Sequence, residues 1–479
     1  MHNKQFTFAK LWPLLLALLL SGCADHTGSY QTPELTLPAT WEQATDTDAS
    51  PDDDHWWNAF EDPILNQLVD EALVRNNDLA AAALLVQRAQ LRADQADSDL
   101  LPSAAVRGGA SLNRDLGNND KGENRNFFTS ATVGYEIDLW RKMANTADAA
   151  HWEMLATEED RTSAALALTG TTATLYWQIA YFNQLLATVD ASIAYAARAL
   201  ALAEVRTKAG AATRIDVLEA QRALANQKAA RTSLLQQRVE VRNALAILFD
   251  GPPRTLAITE PDNLSGATLP EVTAGLPASL LARRPDLRAA EARLRAALAT
   301  TEATRAAWYP AINLSGSLGT SSEALSRLVR NPIGTLAADL TLPFIQWHDM
   351  QRNIRISETD YQVAVINFRQ TLYNALAEVE NSLSARRQFL LRGEQLELVL
   401  ETALQVEEIY RVRYQAGTVP IKAWLDAQEN RRQAETALAE NRLNLLLNHI
   451  TLFKALGGDQ KIALDPLGGQ GSGMSPEEE

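Results

Sequence analysis

Apolar side chains recur at steps of three and four residues along several stretches of the chain. This spacing places them on one face of an α-helix, and its repetition predicts coiled-coil packing between helices. In the first half the series is Leu175, Ile179, Phe182, Leu186, Val189, Ile193, Ala196 and Leu200, followed later by Leu234, Arg238, Val241, Leu245 and Leu248, with an arginine in one position. In the second half it is Leu372, Leu376, Val379 and Leu383.

Two of these helical stretches are unusually long. Residues 141–207 and 346–414 contain no proline, and each contains one glycine, Gly170 or Gly393. At 1.5 Å per residue, each stretch extends for about 100 Å as a helix. Gly210 and Gly417 follow the two stretches. We expect each long helix to turn there and return as the second arm of an antiparallel hairpin.

A different pattern follows Pro102 and Pro310. Partial alternation of apolar and polar residues, with many Gly, Ser, Thr and Val, predicts two strands after each proline. The four stretches are SAAVRGGASLNR, NFFTSATVGYEIDLW, AINLSGSLGTSS and GTLAADLTLPF. Membrane β-strands need roughly 9–11 residues and show this weak alternation. Four strands cannot close a barrel alone, so a membrane role requires an oligomer.

The two halves repeat the same order of patterns, which indicates duplication of one structural unit. NNDLAAAALLVQRAQLRA near residue 76 corresponds to RRPDLRAAEARLRAALAT near 283, so that Asp78 aligns with Asp286. KAGAATRIDVLEAQRA (208–223) corresponds to QAGTVPIKAWLDAQEN (415–430). The expected fold class is mainly α with a small β part and an internal duplication.

The amino terminus carries an export signal. Lys4 and Lys10 form a positive region before a short apolar run at 11–20, which is too short to span a bilayer and is typical of a signal peptide. The run ends in Leu-Ser-Gly-Cys, which resembles the bacterial lipobox. That resemblance implies that Cys23, the only cysteine, carries acyl groups as the first mature residue, and that Ala24 favours the outer membrane. The alternative is an ordinary signal peptide with a chance cysteine.

Charge and motif content exclude several functions. Without residues 1–22 the chain has 42 basic and 59 acidic residues, a net charge of −17 (42 − 59), which argues against nucleic-acid binding. No later stretch reaches about 18 uninterrupted apolar residues, so we expect no transmembrane helix. The chain has no Walker A or G-x-S-x-G motif and no histidine, cysteine and aspartate set with metal-ligand spacing. We therefore expect no enzymatic activity, and no cofactor besides the lipid on Cys23.

These features divide the chain into six segments. Trp56 and Trp57 are expected to anchor the start of the first repeat by packing. The segments are a lipoprotein signal peptide (1–22), an acylated linker (23–55), a first repeat of two strands and a helical hairpin (56–251), a linker (252–277), a second such repeat (278–458) and a disordered tail (459–479).

Several ordered motifs resemble one family. WWNAFEDPILNQLVDEALVRNNDL (56–79), LLARRPDLRAAEARLRAA (280–297), AAWYPAINLSGSLG (306–319) and the paired hairpin turns are similar to the outer-membrane efflux factors, the TolC-like channels, and most to their NodT-type lipoprotein branch. The resemblance implies a homotrimer whose strands form one outer-membrane β-barrel, continued by a long periplasmic α-helical barrel. It also implies a passive duct that works with a periplasmic adaptor (membrane fusion protein) and an inner-membrane pump.

By the same resemblance, the channel narrows and meets its adaptor at the periplasmic hairpin tips. Tyr414 and Asp216 correspond to a gating latch, and Asp426 to an aspartate that rings the aperture. A ring of carboxylates would favour cations. The adaptor-docking positions are Gly210, Arg214, Gly417 and Thr418.

Two positions depart from the family pattern at the tips. Val419 stands where an arginine is expected, and Ala423 stands where a second aspartate is expected. The latch and the ring are therefore weaker, or they use Arg214, Glu219 or Lys422 instead. The alternative for each of these charges is a solvated helix surface.

Three functions of different classes fit the sequence to different degrees. The first is an outer-membrane channel for small-molecule efflux, with a type I-like secretion duct as a variant. The second is a purely structural coiled-coil lipoprotein, which would not need strands at matching places in both halves. The third is an envelope hydrolase, which would need a clustered polar site that the sequence does not contain.

Overall fold

The computed structural model describes Pro33 and residues 35–42, 55–114, 123–253, 259–264, 277–330 and 332–458. Cys23 and the tail at 459–479 lie outside the described residues, and so do the predictions made for them. Within the described ranges the chain forms α1 (Pro63–Arg75), α2 (Asn77–Ser98), β1 (Ser103–Arg114), β2 (Glu123–Ile137), α3 (Lys142–Lys208), α4 (Arg214–Ile247), α5 (Leu280–Arg283), α6 (Pro285–Ala306), β3 (Ala311–Ser322), β4 (Pro332–Thr341), α7 (Trp347–Gln415) and α8 (Ile421–Ala455). The predicted fold class, mainly α with a small duplicated β part, is confirmed.

The four predicted strands form one antiparallel sheet in the order β1-β2-β3-β4. The sheet belongs to the first of two compact units, which includes residues 93–151 and 294–363. Trp140 and Tyr309 join the end of β2 to the start of β3. Their rings stack at 5.0 Å, and the indole nitrogen of Trp140 donates a 2.9 Å hydrogen bond to the carbonyl oxygen of Pro310.

The strand register separates apolar from polar side chains. Ala131 pairs with both Val106 and Leu318, and Leu318 pairs with Gly334, so the side chains of these paired positions share one face. That face carries most of the large exposed apolar residues of the strands, namely Val106, Leu112, Val133, Tyr135, Leu314, Leu318, Leu336 and Leu340. The opposite face carries mainly polar residues, among them Arg107, Ser130, Thr132, Ser317, Thr335 and Asp339.

The second unit includes residues 35–92, 152–293 and 364–458 and holds the main hydrophobic core. Trp56, Trp57 and Phe60 are buried in it, and Trp56 stacks on Phe453 at 5.4 Å. The expectation that Trp56 and Trp57 are packing anchors is confirmed. They fix the start of the first repeat against the carboxyl-terminal helix of the second.

The duplication is also visible in how each repeat closes. In the first repeat, the side-chain amide of Asn76 donates a 3.0 Å hydrogen bond to the carbonyl oxygen of Leu248, just beyond α4. In the second, Nη1 of Arg284 donates a 3.0 Å bond to the carbonyl oxygen of Ala455, at the end of α8. Both donors stand two residues before the aligned Asp78 and Asp286. The start of each repeat is therefore hydrogen-bonded to its end, by an amide in the first repeat and by a guanidinium in the second.

Arg238, the arginine within the apolar helical pattern of the first half, has a partner from the segment between the repeats. Its Nη2 donates a 2.5 Å hydrogen bond to Oε2 of Glu260, and Nε of Arg242 lies 2.7 Å from Oε1. Asn183 donates to the same carboxylate and to the carbonyl oxygen of Pro261. Residues 259–264 are therefore tied to the first hairpin by charge.

One described helix, α3, is long and apolar enough to cross a membrane by length and composition, with a mean hydropathy of 1.4 over its most apolar 18-residue window. The sequence prediction rested on uninterrupted apolar runs, and this window is apolar only on average. Core helices of soluble proteins share such a composition, and α3 supplies Tyr176, Trp177 and Ile179 to the hydrophobic core.

Candidate gating and docking site at the hairpin tips

Each long helix turns at the predicted glycine. Gly210 has φ +72° and Gly417 has φ +74°, a conformation that residues with a Cβ adopt rarely. The amide of Ala211 donates to the carbonyl oxygen of Arg206, and the amide of Thr418 donates to that of Arg413. These are the hydrogen bonds of the glycine-ended helix terminus known as the Schellman motif.

The two returning helices begin differently. At the start of α4, Thr213 and Asp216 form a capping box, in which the Asp216 carboxylate accepts hydrogen bonds from the Thr213 amide at 2.7 Å and from its hydroxyl at 2.8 Å. The start of α8 has Pro420 as its cap and no side-chain hydrogen bond there. The Asp216 carboxylate is thus occupied in capping the start of α4.

Tyr414 lies at the end of α7 and is buried, with 3% of its surface exposed. Its ring stacks on Trp424 at 5.5 Å. The phenol oxygen is also buried, and it makes no hydrogen bond of good geometry within the part of the chain that is described. Burial raises the pKa of the Tyr414 phenol, the positive charge of Arg206 opposes that rise, and the Asp216 carboxylate adds to it, while a poorly aligned hydrogen bond from Arg206 opposes it further. Tyr414 and Asp216 are therefore near enough to interact by charge, but no hydrogen bond joins them here.

Arg206, at the end of α3, makes the polar contact that sequence reasoning missed. Its Nη1 donates a 2.6 Å hydrogen bond to the carbonyl oxygen of Tyr414, and its guanidinium carbon lies 4.9 Å from the centre of the Tyr414 ring. Arg206 and Tyr414 are 208 residues apart, whereas the tips align at a spacing of 207, so Arg206 is equivalent to Arg413 and Tyr414 to Thr207. Both residues lie about one turn before the glycine of their hairpin tip, and this shared place was the signal that could have brought them together.

An apolar cluster packs the two tips against each other. The first hairpin contributes Ala199, Ala203 and Ala220, and the second contributes Tyr414, Ile421 and Trp424, all buried. Val419, which replaces the expected arginine, packs partly buried against this cluster. At this position the chain therefore has an apolar contact where the resemblance leads to the expectation of a charge.

The other predicted tip residues lie closer to solvent. Asp426 is exposed, and its Oδ2 lies 2.6 Å from Nζ of Lys422 one turn earlier on α8. Arg214 and Thr418 are exposed, and the Thr418 hydroxyl donates to the carbonyl oxygen of Arg413 at 3.0 Å. The structure thus brings Tyr414 and Asp216 to one place and leaves Asp426 and Arg214 on the surface.

A polar cleft of about 340 Å³ lies beside the tips, between α3, α4 and α8. Glu429 lines this cleft and accepts hydrogen bonds from two helices. Two nitrogens of Arg432 donate to its carboxylate at 2.9 and 2.5 Å, and the Gln227 amide of α4 donates at 3.2 Å. The Arg432 hydrogen bonds hold the pKa of Glu429 below its ordinary value, although burial opposes this. The residues bordering the cleft include Glu219, Arg222, Lys422 and Asp426, so its rim carries both signs of charge.

No group of three or more histidine, cysteine, aspartate or glutamate side chains suited to a metal ion occurs among the residues that the structure describes.

The fold contains two helical hairpins, each preceded by two strands, and this arrangement indicates the class of protein. The model of the family "Outer membrane efflux protein" matches residues 68–249 and 276–458, one match for each repeat. The chain therefore belongs to the outer membrane efflux protein family. It is an outer-membrane channel component of an efflux system.

Relatives and a solved structure agree with this membership. The chain is 31% identical over 461 residues to the toxin and drug export protein A of Aggregatibacter actinomycetemcomitans, covering 95% of this chain and 99% of that protein. It is 32% identical over 460 residues to the pyoverdine export outer membrane protein OpmQ of Pseudomonas aeruginosa, covering 93% and 96%. The open-state crystal structure of the Neisseria gonorrhoeae MtrE outer membrane channel is similar with a TM-score of 0.78 and 27% identity, covering 90% of this chain and 97% of that one.

Proposed function

We propose that the chain forms a homotrimer that serves as a passive exit duct for small molecules and catalyses no reaction. A periplasmic adaptor and an inner-membrane pump supply the coupling and the energy. The observation that carries the proposal is the sheet, whose register gives one apolar and one polar face. Lipid-facing and lumen-facing residues alternate in this way along the strands of membrane barrels.

The open edges of the sheet support the trimer. Strands β1 and β4 stand at its two ends, so each has one side without a partner strand in the described chain. An unpaired edge within a bilayer would leave backbone groups unsatisfied, and closure into a barrel removes the edges. Pairing of β4 with β1 of the next copy satisfies both edges and makes all three interfaces alike.

The hairpin tips are the proposed place of adaptor docking. Gly210, Arg214, Gly417 and Thr418 lie at the turns, and the mixed-charge cleft beside them offers side chains of both signs. Complementary charges fix orientation and register in protein interfaces more than they add affinity. An adaptor with its own charged hairpin suits this surface.

The lipid on Cys23 is proposed as a supplementary tether. A closed barrel is held in the bilayer by its whole apolar face, whereas one acylated residue adds a weaker attachment. Cys23→Ala with a cleavable signal peptide is expected to yield membrane-inserted trimers in reduced amount. Recovery of that variant wholly as soluble periplasmic protein would contradict this role.

Small organic molecules are the proposed cargo. The two relatives described above are named for toxin and drug export and for pyoverdine export. A type I-like secretion duct for polypeptides is the second candidate, because the first of these names includes a toxin. Export of a small dye by cells that carry the chain with a matched adaptor and pump would separate the two.

Conductance of the purified protein in planar bilayers tests the channel itself. We expect discrete steps of current from the wild-type trimer and from the Asp216→Asn/Asp426→Asn double variant, in which two acidic tip side chains are neutral. Heat-dissociated protein is the control. If neither the wild-type trimer nor the double variant gives discrete conductance, the chain is not a channel, and the structural lipoprotein is the remaining function.

A further inference from the structure

We propose that Arg206 holds the two hairpin tips of each chain together and thereby keeps the aperture narrow, the task that family resemblance gives to the Tyr414 hydroxyl and Asp216. This inference rests on the proposed channel function. It adds a positioning residue that acts through the second hairpin and makes no contact with cargo.

The Arg206 guanidinium is held from three sides. Nη1 donates to the carbonyl oxygen of Tyr414 at 2.6 Å, and the guanidinium carbon lies 4.9 Å from the Tyr414 ring centre. Nη2 lies beside Gly417, 3.2 Å from where a Cβ would stand. A cation placed at the carboxyl end of α7 also meets the negative end of the helix dipole. One side chain of the first hairpin therefore fixes both the backbone and the ring of the second.

The apolar contacts at the tips cannot fix this position by themselves. Tyr414 and Trp424 of the second hairpin pack on buried Ala199, Ala203 and Ala220 of the first, with Leu200, Leu202 and Val217 partly buried around them. Apolar contact is non-directional, so it opposes separation of the hairpins more than sliding between them. The charge-assisted hydrogen bond from Arg206 is directional and is lost when α7 shifts along α3.

Neither group that the resemblance assigns to the latch, the Asp216 carboxylate or the Tyr414 hydroxyl, joins the two hairpins by a well-formed hydrogen bond. The Asp216 carboxylate accepts both hydrogen bonds of the Thr213 cap. The Tyr414 hydroxyl lies near the Arg206 guanidinium but has no hydrogen-bond partner of good geometry among the described residues. The well-formed contacts between the hairpins therefore use the main chain and the ring face of Tyr414, and a phenylalanine at this position would keep both.

An arginine of the first hairpin contacts the glycine turn of the second, but the glycine turn of the first hairpin has no such neighbour. Gly417 has the Arg206 guanidinium as its neighbour, whereas a Cβ at Gly210 would meet nothing within 4 Å. Arg413 occupies the repeat position of Arg206, but its side chain is exposed and no atom of it lies beside Gly210, so the second hairpin does not return the contact. Loss of Arg206 therefore frees the second hairpin without a symmetric contact to replace it.

Bilayer recordings of full-length trimers test the proposal with four variants. Arg206→Ala removes all three contacts, and we expect roughly a tenfold rise in the fraction of time spent in the most conductive state. Arg206→Lys keeps the charge but loses the planar group and is expected to give an intermediate rise. Tyr414→Phe keeps the ring and the carbonyl oxygen and is expected to match the wild type. Arg198→Ala is the matched control, because Arg198 lies two turns earlier on α3 and faces Tyr195 of its own helix at 5.8 Å.

The outcomes separate this inference from the channel proposal. If wild-type and Asp216→Asn/Asp426→Asn trimers both fail to conduct, the channel proposal is wrong. If they conduct, and Arg206→Ala behaves as wild type or Tyr414→Phe opens as much as Arg206→Ala, the inference about Arg206 is wrong. Trimer yield and melting temperature, measured on every variant, distinguish opening from misfolding. If Arg206→Ala does not assemble, the comparison of Arg206→Lys with Tyr414→Phe decides.

Discussion

The side-chain amide of Asn441 on α8 donates a 3.0 Å hydrogen bond to the carbonyl oxygen of Phe389 on α7. One heptad further on, Asn448 donates a 3.1 Å bond to the carbonyl oxygen of Ser382, one heptad earlier on α7. Leu234 and Val241 occupy the equivalent positions on α4 of the first repeat. Two buried amides therefore set the register of the second hairpin at places where the first hairpin relies on apolar packing. A buried polar residue in a helical seam commonly specifies register.

Gly393 lies in the middle of the long helix α7, at a position where a side chain would press on Asn441. A Cβ at this position would lie 3.2 Å from the Asn441 amide nitrogen, closer than side chains normally pack. We predict that Gly393→Ala destabilises the wild type by about 1–2 kcal/mol, because the buried Asn441 amide loses its partner. In an Asn441→Ala background the same change is expected to stabilise by about 0.5–1 kcal/mol through helix propensity.

Urea unfolding of the four proteins of this double-mutant cycle measures both values. Equal effects of Gly393→Ala in the two backgrounds would show that the amide and the glycine are not coupled. Gly170→Ala is a second helix-interior glycine for comparison, where a Cβ would meet the flexible side chain of Lys454 instead.

His449 makes stability depend on pH. Its side chain is 1% exposed, and burial, aided by the positive charge of Arg386, lowers the pKa of His449 from its ordinary value of 6.5 to about 4. Between these two values the unfolded chain binds a proton that the folded chain does not, so stability falls as the pH falls from 6.5 towards 4. The full loss is about 3 kcal/mol per protomer.

Unfolding free energies at pH 7 and pH 4.5 check this prediction. His449→Gln cannot titrate and should lose less stability over that interval than the wild type, even if its stability at pH 7 is lower. His348→Gln, at an exposed position, is the control and should retain the wild-type dependence. An unchanged dependence in His449→Gln would mean that other groups cause the acid sensitivity.

The local features of the fold were readable from the sequence, whereas the contacts between distant segments were not. The turns at Gly210 and Gly417 and the four strands follow from short-range patterns, since glycine conformation and alternation act within a few residues. The capping box of Thr213 and Asp216 is equally local, since a threonine followed three residues later by an acidic residue is a pattern typical of a helix start. The Arg206 contact with Tyr414 depends on packing between residues 208 positions apart, for which the sequence offered only their shared place about one turn before a tip glycine.

Arg238 illustrates the same limit. As an arginine in an apolar pattern it signalled an unusual contact, but its partner Glu260 lies in the segment between the repeats, outside any periodic pattern. Burial alone would raise the pKa of Glu260, yet hydrogen bonds from Arg238 and Asn183 bring it below its ordinary value. The side chain of Glu260 is thus held as a carboxylate between two arginines.

We predict that Glu260→Ala lowers the unfolding free energy by about 1–3 kcal/mol, because it leaves the half-buried Arg238 without its counter-charge. Residues 259–264 should also become sensitive to limited proteolysis. Glu240→Ala, at an exposed glutamate of α4, is the control and should change neither property. A Glu260→Ala protein with wild-type stability and protease resistance would show that the ion pairs do not fasten this segment.

Lys422 reduces the effect of Asp426 on ion selectivity. Both side chains are more than half exposed, and the ammonium lies 2.6 Å from the carboxylate, so each Asp426 carries its counter-charge in every protomer. If these residues face the aperture, as the proposed channel requires, Lys422→Ala unmasks three carboxylates and raises cation selectivity, whereas Asp426→Asn lowers it. The reversal potential in a potassium chloride gradient measures both changes. They should shrink as salt approaches about 1 M, where the screening length falls to about 3 Å. Lys228→Ala, an exposed lysine further along α4, is the matched control. A reversal potential that Lys422→Ala leaves unchanged at low salt would place the pair away from the ion path, and the selectivity would then belong to other residues of the tips.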